Sequence, residues 1–265
     1  MYKAFFNMSK TPFSKDISEN SLYIGPHFKE LQGRLKTAAA ERLFLVVTGD
    51  SGCGKTTAAR WFVSSLDPAR FVHFYISDSA LSPRNFYYEI LNQLGVRPHF
   101  FRGDAKRQMA QELSRIIDAH KTPVVTIDEA YLCDREMLTE IRFLLNFKMD
   151  SYSPMGLIIL GQSELRENLK KPIYQAIAGR VELQYHLPPF DRAQTQDYIA
   201  SHLQYAGETR KIFNDEAVDA IFNYSGGLAR KINRLASACL YYAPQAKKNT
   251  IDERLVALMI ESELS

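Results

Sequence analysis

Apolar positions follow two rhythms along the first 187 residues and only one after that. Five short apolar runs, Leu43–Thr48, Val72–Ser77, Pro123–Asp128, Gly156–Gly161 and Val181–Leu187, alternate with stretches of helical spacing. An unbroken run such as Leu43-Phe44-Leu45-Val46-Val47 predicts a strand buried on both faces. Between the runs, Lys55–Leu66 places Ala58, Phe62 and Leu66 at fourfold spacing. Ala105–His120 puts Met109, Leu113, Ile116 and Ile117 on one face, and Asp134–Phe147 does the same with Met137, Leu138, Ile141, Leu144 and Leu145. Ser82-Pro83 reads as an N-cap followed by proline at the first helical position. Strands alternating with helices imply a parallel five-stranded α/β sheet with right-handed crossovers. After Leu187-Pro188-Pro189 only helical periods remain, marked by Tyr198, Ile199 and Leu203, by Ala217, Val218 and Ile221, by Ile232, Leu235 and Leu240, and by Val256–Ile260. The proline pair therefore divides an α/β domain, 1–187, from a small all-α domain, 188–265.

Composition changes this picture little. An apolar content of 46% and a charged content of 24% over 265 residues suit an ordinary globular chain with a sizeable core. A net charge of +3 permits nucleic-acid binding without requiring it. Cys53, Cys133 and Cys239 are odd in number and far apart, which points to a reducing compartment. The histidines show no paired metal-ligand spacing, so no structural metal is expected. The opening MYKAFFNMSKTPF lacks a signal-peptide core, and no apolar stretch approaches the roughly 20 residues of a membrane helix. A cytoplasmic location without membrane attachment is the expectation.

Chemistry enters at Gly49-Asp50-Ser51-Gly52-Cys53-Gly54-Lys55-Thr56-Thr57, which has the G-x-x-x-x-G-K-[ST] spacing of a P-loop. Its glycines let backbone N–H groups wrap a polyphosphate, and the helix that follows directs partial positive charge at it. Lys55 would reach the β- and γ-phosphates, and Thr56 would offer its hydroxyl to Mg²⁺. The apolar run 123–128 ends in Asp128-Glu129. Asp128 would hold Mg²⁺, commonly through water, and Glu129 would orient or activate a water against the γ-phosphate. Paired carboxylates at a strand tip favour hydrolysis of ATP over transfer to a metabolite. Gln162, at the end of the run 156–161, could sit between the carboxylates and sense the γ-phosphate, or could simply cap a helix. Arg230, in Ser225-Gly226-Gly227-Leu228-Ala229-Arg230, could reach the phosphates; Lys231 and Arg234 are its near neighbours.

With these motifs in hand, the chain resembles the AAA+ ATPases, and within them the ExeA/TnsC-type subgroup with its TniB- and IstB-like relatives. The resemblance runs nearly end to end. It rests on FFNMSKTPFS, GDSGCGKTT, VVTIDEAYL, IRFLLNFKMDS, LIILGQSEL and GLARKINRL. It implies an AAA+ nucleotide-binding domain with a helical lid. Pro12 and Phe13, with the nearby Tyr23-Ile24, would cover the adenine, Gln162 would be the sensor at the strand end, and Arg230 the lid arginine. It also implies that Arg180, in Ala178-Gly179-Arg180-Val181, is donated to the neighbouring subunit as an arginine finger. A finger of this kind is worth roughly 10³–10⁵ in rate. Tyr131 and Ala229 depart from residues frequent in the subgroup.

The resemblance further implies a ring or helical oligomer that forms on double-stranded DNA when ATP is bound, and that recruits or licenses a DDE-type transposase. Arg84, Arg97, Arg102, Lys106 and Arg107 are candidates for phosphate contacts, with little sequence preference and strong salt dependence. Two other functions fit the same motifs: a secretion-associated ATPase of the ExeA kind, and a nucleotide-dependent signalling or scaffold protein.

Overall fold

Each of the five apolar runs forms a strand in the computed structural model, which describes residues 2–77, 82–130, 135–145 and 153–264. Tyr131, Cys133 and the stretch Asn146–Ser151 were singled out in the sequence, and they lie outside the described residues. In chain order the helices are α1 (Tyr2–Phe5), α2 (Pro26–Glu41), α3 (Lys55–Ser65), α4 (Pro83–Gln93), α5 (Arg102–Asp118), α6 (Arg135–Leu144), α7 (Ser163–Leu169), α8 (Gln175–Ala178), α9 (Arg192–Ala206), α10 (Asp215–Ser225), α11 (Ala229–Tyr242) and α12 (Glu253–Leu264). The strands are β1 (Phe44–Thr48), β2 (Phe71–Ile76), β3 (Thr122–Ile127), β4 (Gly156–Gly161) and β5 (Leu183–His186).

The chain divides into two compact units. One, the sheet unit, comprises His27–Gly49 and Lys55–Leu187; the other, the helical unit, comprises Met1–Pro26, Asp50–Gly54 and Pro188–Ser265. This differs from the boundary expected from the sequence, which placed all of 1–187 together. The reason is apolar: Tyr2, Phe6, Met8 and Phe13 are buried in one cluster with Ile199, Leu203, Ile232 and Leu240.

In the sheet unit the strands are all parallel, in the order β2-β3-β4-β1-β5. Every residue of β1 and β4 is buried, as unbroken apolar runs require of central strands. Each such Leu, Ile or Val removed from water stabilises the fold by roughly 1.5–3 kcal/mol. The apolar faces read from the sequence are largely the buried ones: Met109 and Leu113 on α5, where Ile116 and Ile117 are only half-buried, and Met137, Leu138, Ile141 and Leu144 on α6. Ser82 caps α4 by accepting from the Asn85 N–H, with Pro83 at the first helical position. Strand β5 starts later than expected because the Val181 N–H is taken by Ala178 O in the turn after α8.

In the helical unit, Asp191 and Gln194 form a reciprocal capping box at the start of α9, and Asn214 caps α10. Helices α9 to α12 share one apolar core, and Tyr198 OH donates to Asn233 Oδ1 at 2.9 Å inside it.

Candidate nucleotide site

Strand β1 ends at Thr48, the glycine-rich loop 49–54 follows, and Lys55 opens α3. Lys55 is 7% exposed, and its Nζ donates to Gly49 O at 2.7 Å, so the lysine turns back to the residue that follows β1. One residue on, Thr56 Oγ1 donates to Asp128 Oδ2 at 2.9 Å. Asp128 directly follows β3, its N–H donates to Ile76 O, and it is 4% exposed. A carboxylate so buried is costly unless its oxygens are satisfied. Here Tyr75 OH also donates to Oδ2, at 2.7 Å, and the Glu129 N–H donates to Oδ1 at 2.8 Å. Burial, then the bond to Asp128 and the charges of Asp128 and Glu129, push the Tyr75 phenol far above its usual range, so it remains a donor.

Glu129 is strained and unsatisfied. Its φ of 53° lies in the left-handed region, which a residue with a Cβ adopts at a cost of roughly 1–3 kcal/mol. Its Oε2 is buried and has no hydrogen-bond partner among the described residues. Buried side-chain oxygens are nearly always bonded, so this one is suited to a group from outside the chain. Among the described residues no three His, Cys, Asp or Glu side chains gather as a metal cluster. Thr56 and Asp128 instead offer a pair of oxygen donors. That suits Mg²⁺, which keeps several waters and shares phosphate oxygens.

Strand β4 lies between β3 and β1, with Gly161 in register with Thr48. Gln162 therefore follows the strand that separates the loop's strand from that of Asp128. It occupies the N-cap position of α7, yet its side chain makes no capping bond. Arg180 sits between α8 and β5, half-buried, with its N–H on Ile177 O.

Within the helical unit, the loop segment Asp50–Gly54 meets the start of α11. The Arg230 N–H donates to Gly52 O at 3.1 Å, and its Nη1 donates to Ser51 Oγ at 3.1 Å. Gly52 has φ +86°, and a Cβ there would lie 2.7 Å from Arg230 Cβ, so this loop position accepts only glycine without strain. Of the neighbouring cations, Lys231 instead lies over the Tyr224 ring. Cys53 is buried and is not part of a disulfide. Pro12 and Phe13 are buried; the Phe13 ring stacks on His202 at 5.1 Å, and its N–H donates to His202 Nδ1 at 3.1 Å. Burial lowers the His202 pKa to about 4, keeping the ring neutral and able to accept that bond.

The basic residues expected to face nucleic acid are largely engaged elsewhere. Arg102 and Lys106 both donate to Glu140, each at 2.6 Å, and Arg102 also pairs with Glu136. Glu140 is 5% exposed and accepts from Tyr87 OH as well. Burial alone would raise its pKa, but the bonds from Lys106, Tyr87 and Arg102 outweigh it and hold the carboxyl below its usual range. These two cations answer a buried charge, which the sequence expectation did not foresee. Arg107 pairs with Asp104 one turn away. Arg84 packs over the Phe100 ring at 4.7 Å, and Phe100 and Phe101 are about 70% exposed, at 69% and 70%.

Sequence reasoning missed Tyr75, Gln93 and Glu140. The available signal was a hydroxyl within an apolar strand for Tyr75, and a lone carboxylate on the buried face of α6 for Glu140.

Residues 38–169 match a family model described as AAA domain. Over 249 residues, 92% of this chain, the sequence is 29% identical to General secretion pathway protein A of Aeromonas hydrophila; the match spans 45% of that relative's length. The fold is similar to the Aeropyrum pernix ORC2 protein, solved as ADPNP–ADP complexes, with TM-score 0.68, 16% identity, and coverage of 94% of this chain and 70% of that one. It is also similar to a chain of Drosophila ORC bound to DNA, with TM-score 0.67, 19% identity, and coverage of 100% and 65%. A third similar fold is the Thermotoga maritima RuvB Holliday junction branch migration motor, with TM-score 0.57, 16% identity, and coverage of 88% and 68%. At these identities the likeness is one of fold: a parallel five-stranded P-loop sheet of the AAA+ type.

Proposed function

We propose, from the premise that this chain carries an AAA domain in a P-loop AAA+ fold, that it binds ATP with Mg²⁺ and hydrolyses it to drive a change of assembly. The observation that carries this reading is the juxtaposition at Asp128. The P-loop threonine donates to its carboxylate at 2.9 Å, and the next residue is a strained glutamate with a buried, unpartnered oxygen. In this reading Lys55 and the loop N–H groups bind the β- and γ-phosphates, while Thr56 and Asp128 hold Mg²⁺. Bound there, Mg²⁺ would neutralise phosphate charge. Glu129 takes the proton of the attacking water as general base, and Gln162 orients that water or the γ-phosphate. Arg230 supports the phosphate loop through Ser51 and Gly52, and Pro12 and Phe13 shape the adenine end. Arg180 acts on a neighbouring copy, so that turnover depends on self-association into a ring or helix. The test is phosphate release from ATP by the purified chain with and without Mg²⁺. Metal-dependent release that Lys55→Ala abolishes supports the reading; no release and no nucleotide binding would remove it.

For the work that hydrolysis drives, the reading is assembly on double-stranded DNA and recruitment or licensing of a DDE-type transposase. The resemblance carried by the segments NFKMDS and GQSEL supports it, as does an exposed surface where Arg84 packs over the Phe100 ring and Phe100 meets Phe101. Cationic side chains beside exposed aromatics suit nucleic acid. Arg102 and Lys106 carry little of this proposal, since Glu140 holds both. A second reading, an ATPase serving secretion, is favoured by the 29% identity to General secretion pathway protein A. Among the described residues no helix is long and apolar enough to cross a membrane. Microscopy of the protein with duplex DNA and a non-hydrolysable ATP analogue separates the two: ordered arrays on DNA support the first, and no DNA binding at low salt supports the second.

A further inference from the structure

The Asp128 carboxylate is held by a residue that neither nucleotide motif contains. Tyr75 lies on β2, one of the two edge strands, in register with Thr126 of β3. Its hydroxyl reaches Asp128 Oδ2 at 2.7 Å, and the same oxygen receives Thr56 Oγ1 at 2.9 Å. Two donors on one oxygen, with the Glu129 N–H on the other, leave the carboxylate one orientation about its terminal bond. Tyr75 is itself pinned from the open side of the strand. Gln93, the last residue of α4, accepts from the Tyr75 N–H at 3.2 Å and donates to Tyr75 O at 2.9 Å. An edge strand has unpaired backbone groups at this position, and one side-chain amide satisfies both. A chain of fixed contacts thus runs from α4 through Gln93 and Tyr75 to Asp128.

We propose that Tyr75 is a positioning residue for the metal side of the nucleotide site. Its hydroxyl sets the Asp128 carboxylate in the orientation that Thr56 shares, so that metal-dependent nucleotide binding is tighter than the P-loop and Asp128 alone would give. This rests on the reading of Thr56 and Asp128 as the Mg²⁺-holding pair. Outer donors of this kind orient a ligating carboxylate, and their loss typically costs 10–100-fold in metal affinity.

The test is titration of the whole chain with a fluorescent ATP analogue, in EDTA and across a Mg²⁺ series. Tyr75→Phe removes only the hydroxyl. Its expected effect is a rise of about tenfold in the Mg²⁺ concentration needed for half-maximal binding, with nucleotide affinity in EDTA unchanged. Gln93→Leu, which keeps the hydroxyl but frees its strand, is expected to shift the same midpoint by about two- to threefold. A purely structural role for Tyr75 would lower the unfolding temperature without separating the Mg²⁺ and EDTA titrations, and that result overturns the inference. So does an unchanged Mg²⁺ midpoint in Tyr75→Phe beside a wild type whose binding Mg²⁺ strengthens. If Mg²⁺ does not strengthen binding to the wild type, the metal-holding pair itself is refuted and the inference falls with it.

Discussion

Gly52 and Arg230 meet without room for a side chain between them: the Arg230 N–H donates to Gly52 O at 3.1 Å, and a Cβ on Gly52 would come within 2.7 Å of Arg230 Cβ. Gly52→Ala must therefore displace the phosphate loop or the start of α11, and it also places a Cβ at φ +86°. Nucleotide affinity is expected to fall by about tenfold or more, measured by titration with a fluorescent ATP analogue; misplacing a binding group by about 1 Å has effects of this size or larger. Arg230→Ala, which keeps the backbone bond, is expected to bind ATP more tightly than Gly52→Ala does.

Glu129 stores backbone strain and a buried unpartnered oxygen. Glu129→Gly removes both. The variant is expected to be more stable by about 1 kcal/mol, raising the unfolding temperature by roughly 2–4 °C, while turnover is lost. Calorimetry beside a phosphate-release assay checks both halves. A destabilised Glu129→Gly would show that the strained conformation is not held against a cost.

Glu140 is buried where Tyr87, Arg102 and Lys106 converge, so Glu140→Ala strands the buried Tyr87 hydroxyl as well as breaking both ion pairs. Urea unfolding is expected to show a loss of about 3 kcal/mol. Arg107→Ala, on an exposed pair within one helix, is expected to fall within about 0.5 kcal/mol of wild type.

Two buried histidines set a pH dependence. Burial lowers His73 and His202 to about 4 each, from an ordinary value of 6.5. The unfolded chain takes up these protons near pH 6.5, whereas the folded chain resists until about pH 4. Stability is therefore full above pH 6.5 and falls as pH drops toward 4, by roughly 2 kcal/mol per histidine at pH 5. Urea unfolding between pH 7.5 and 5 measures the slope, and His73→Gln is expected to reduce it.

Much of the sheet unit was legible because buried parallel strands are written as unbroken apolar runs, and because Ser82-Pro83 marks a helix start by local chemistry. Helix α2 was not read. Its buried Leu31, Leu35, Ala38 and Ala39 follow helical spacing, but two of the four are alanines, which make a weak apolar stripe. The P-loop and Asp128-Glu129 were legible as spacings. The remainder is long-range: nothing near position 75 in the chain shows that its hydroxyl meets Asp128. Likewise nothing near position 2 shows that Tyr2 and Phe6 are buried with α9 and α11. Arg102 and Lys106 were read as exposed cations because their partner, Glu140, lies 34 or more residues away.

The most direct measurement compares Glu129→Gln with wild type for ATP affinity and for Mg²⁺-dependent turnover in the same preparation. Unchanged affinity with turnover reduced by about 10²–10⁴-fold is expected of a lost general base. Turnover by Glu129→Gln at the wild-type rate would contradict the assignment of Glu129 and, with it, the reading of the Asp128 site as the place where ATP is hydrolysed.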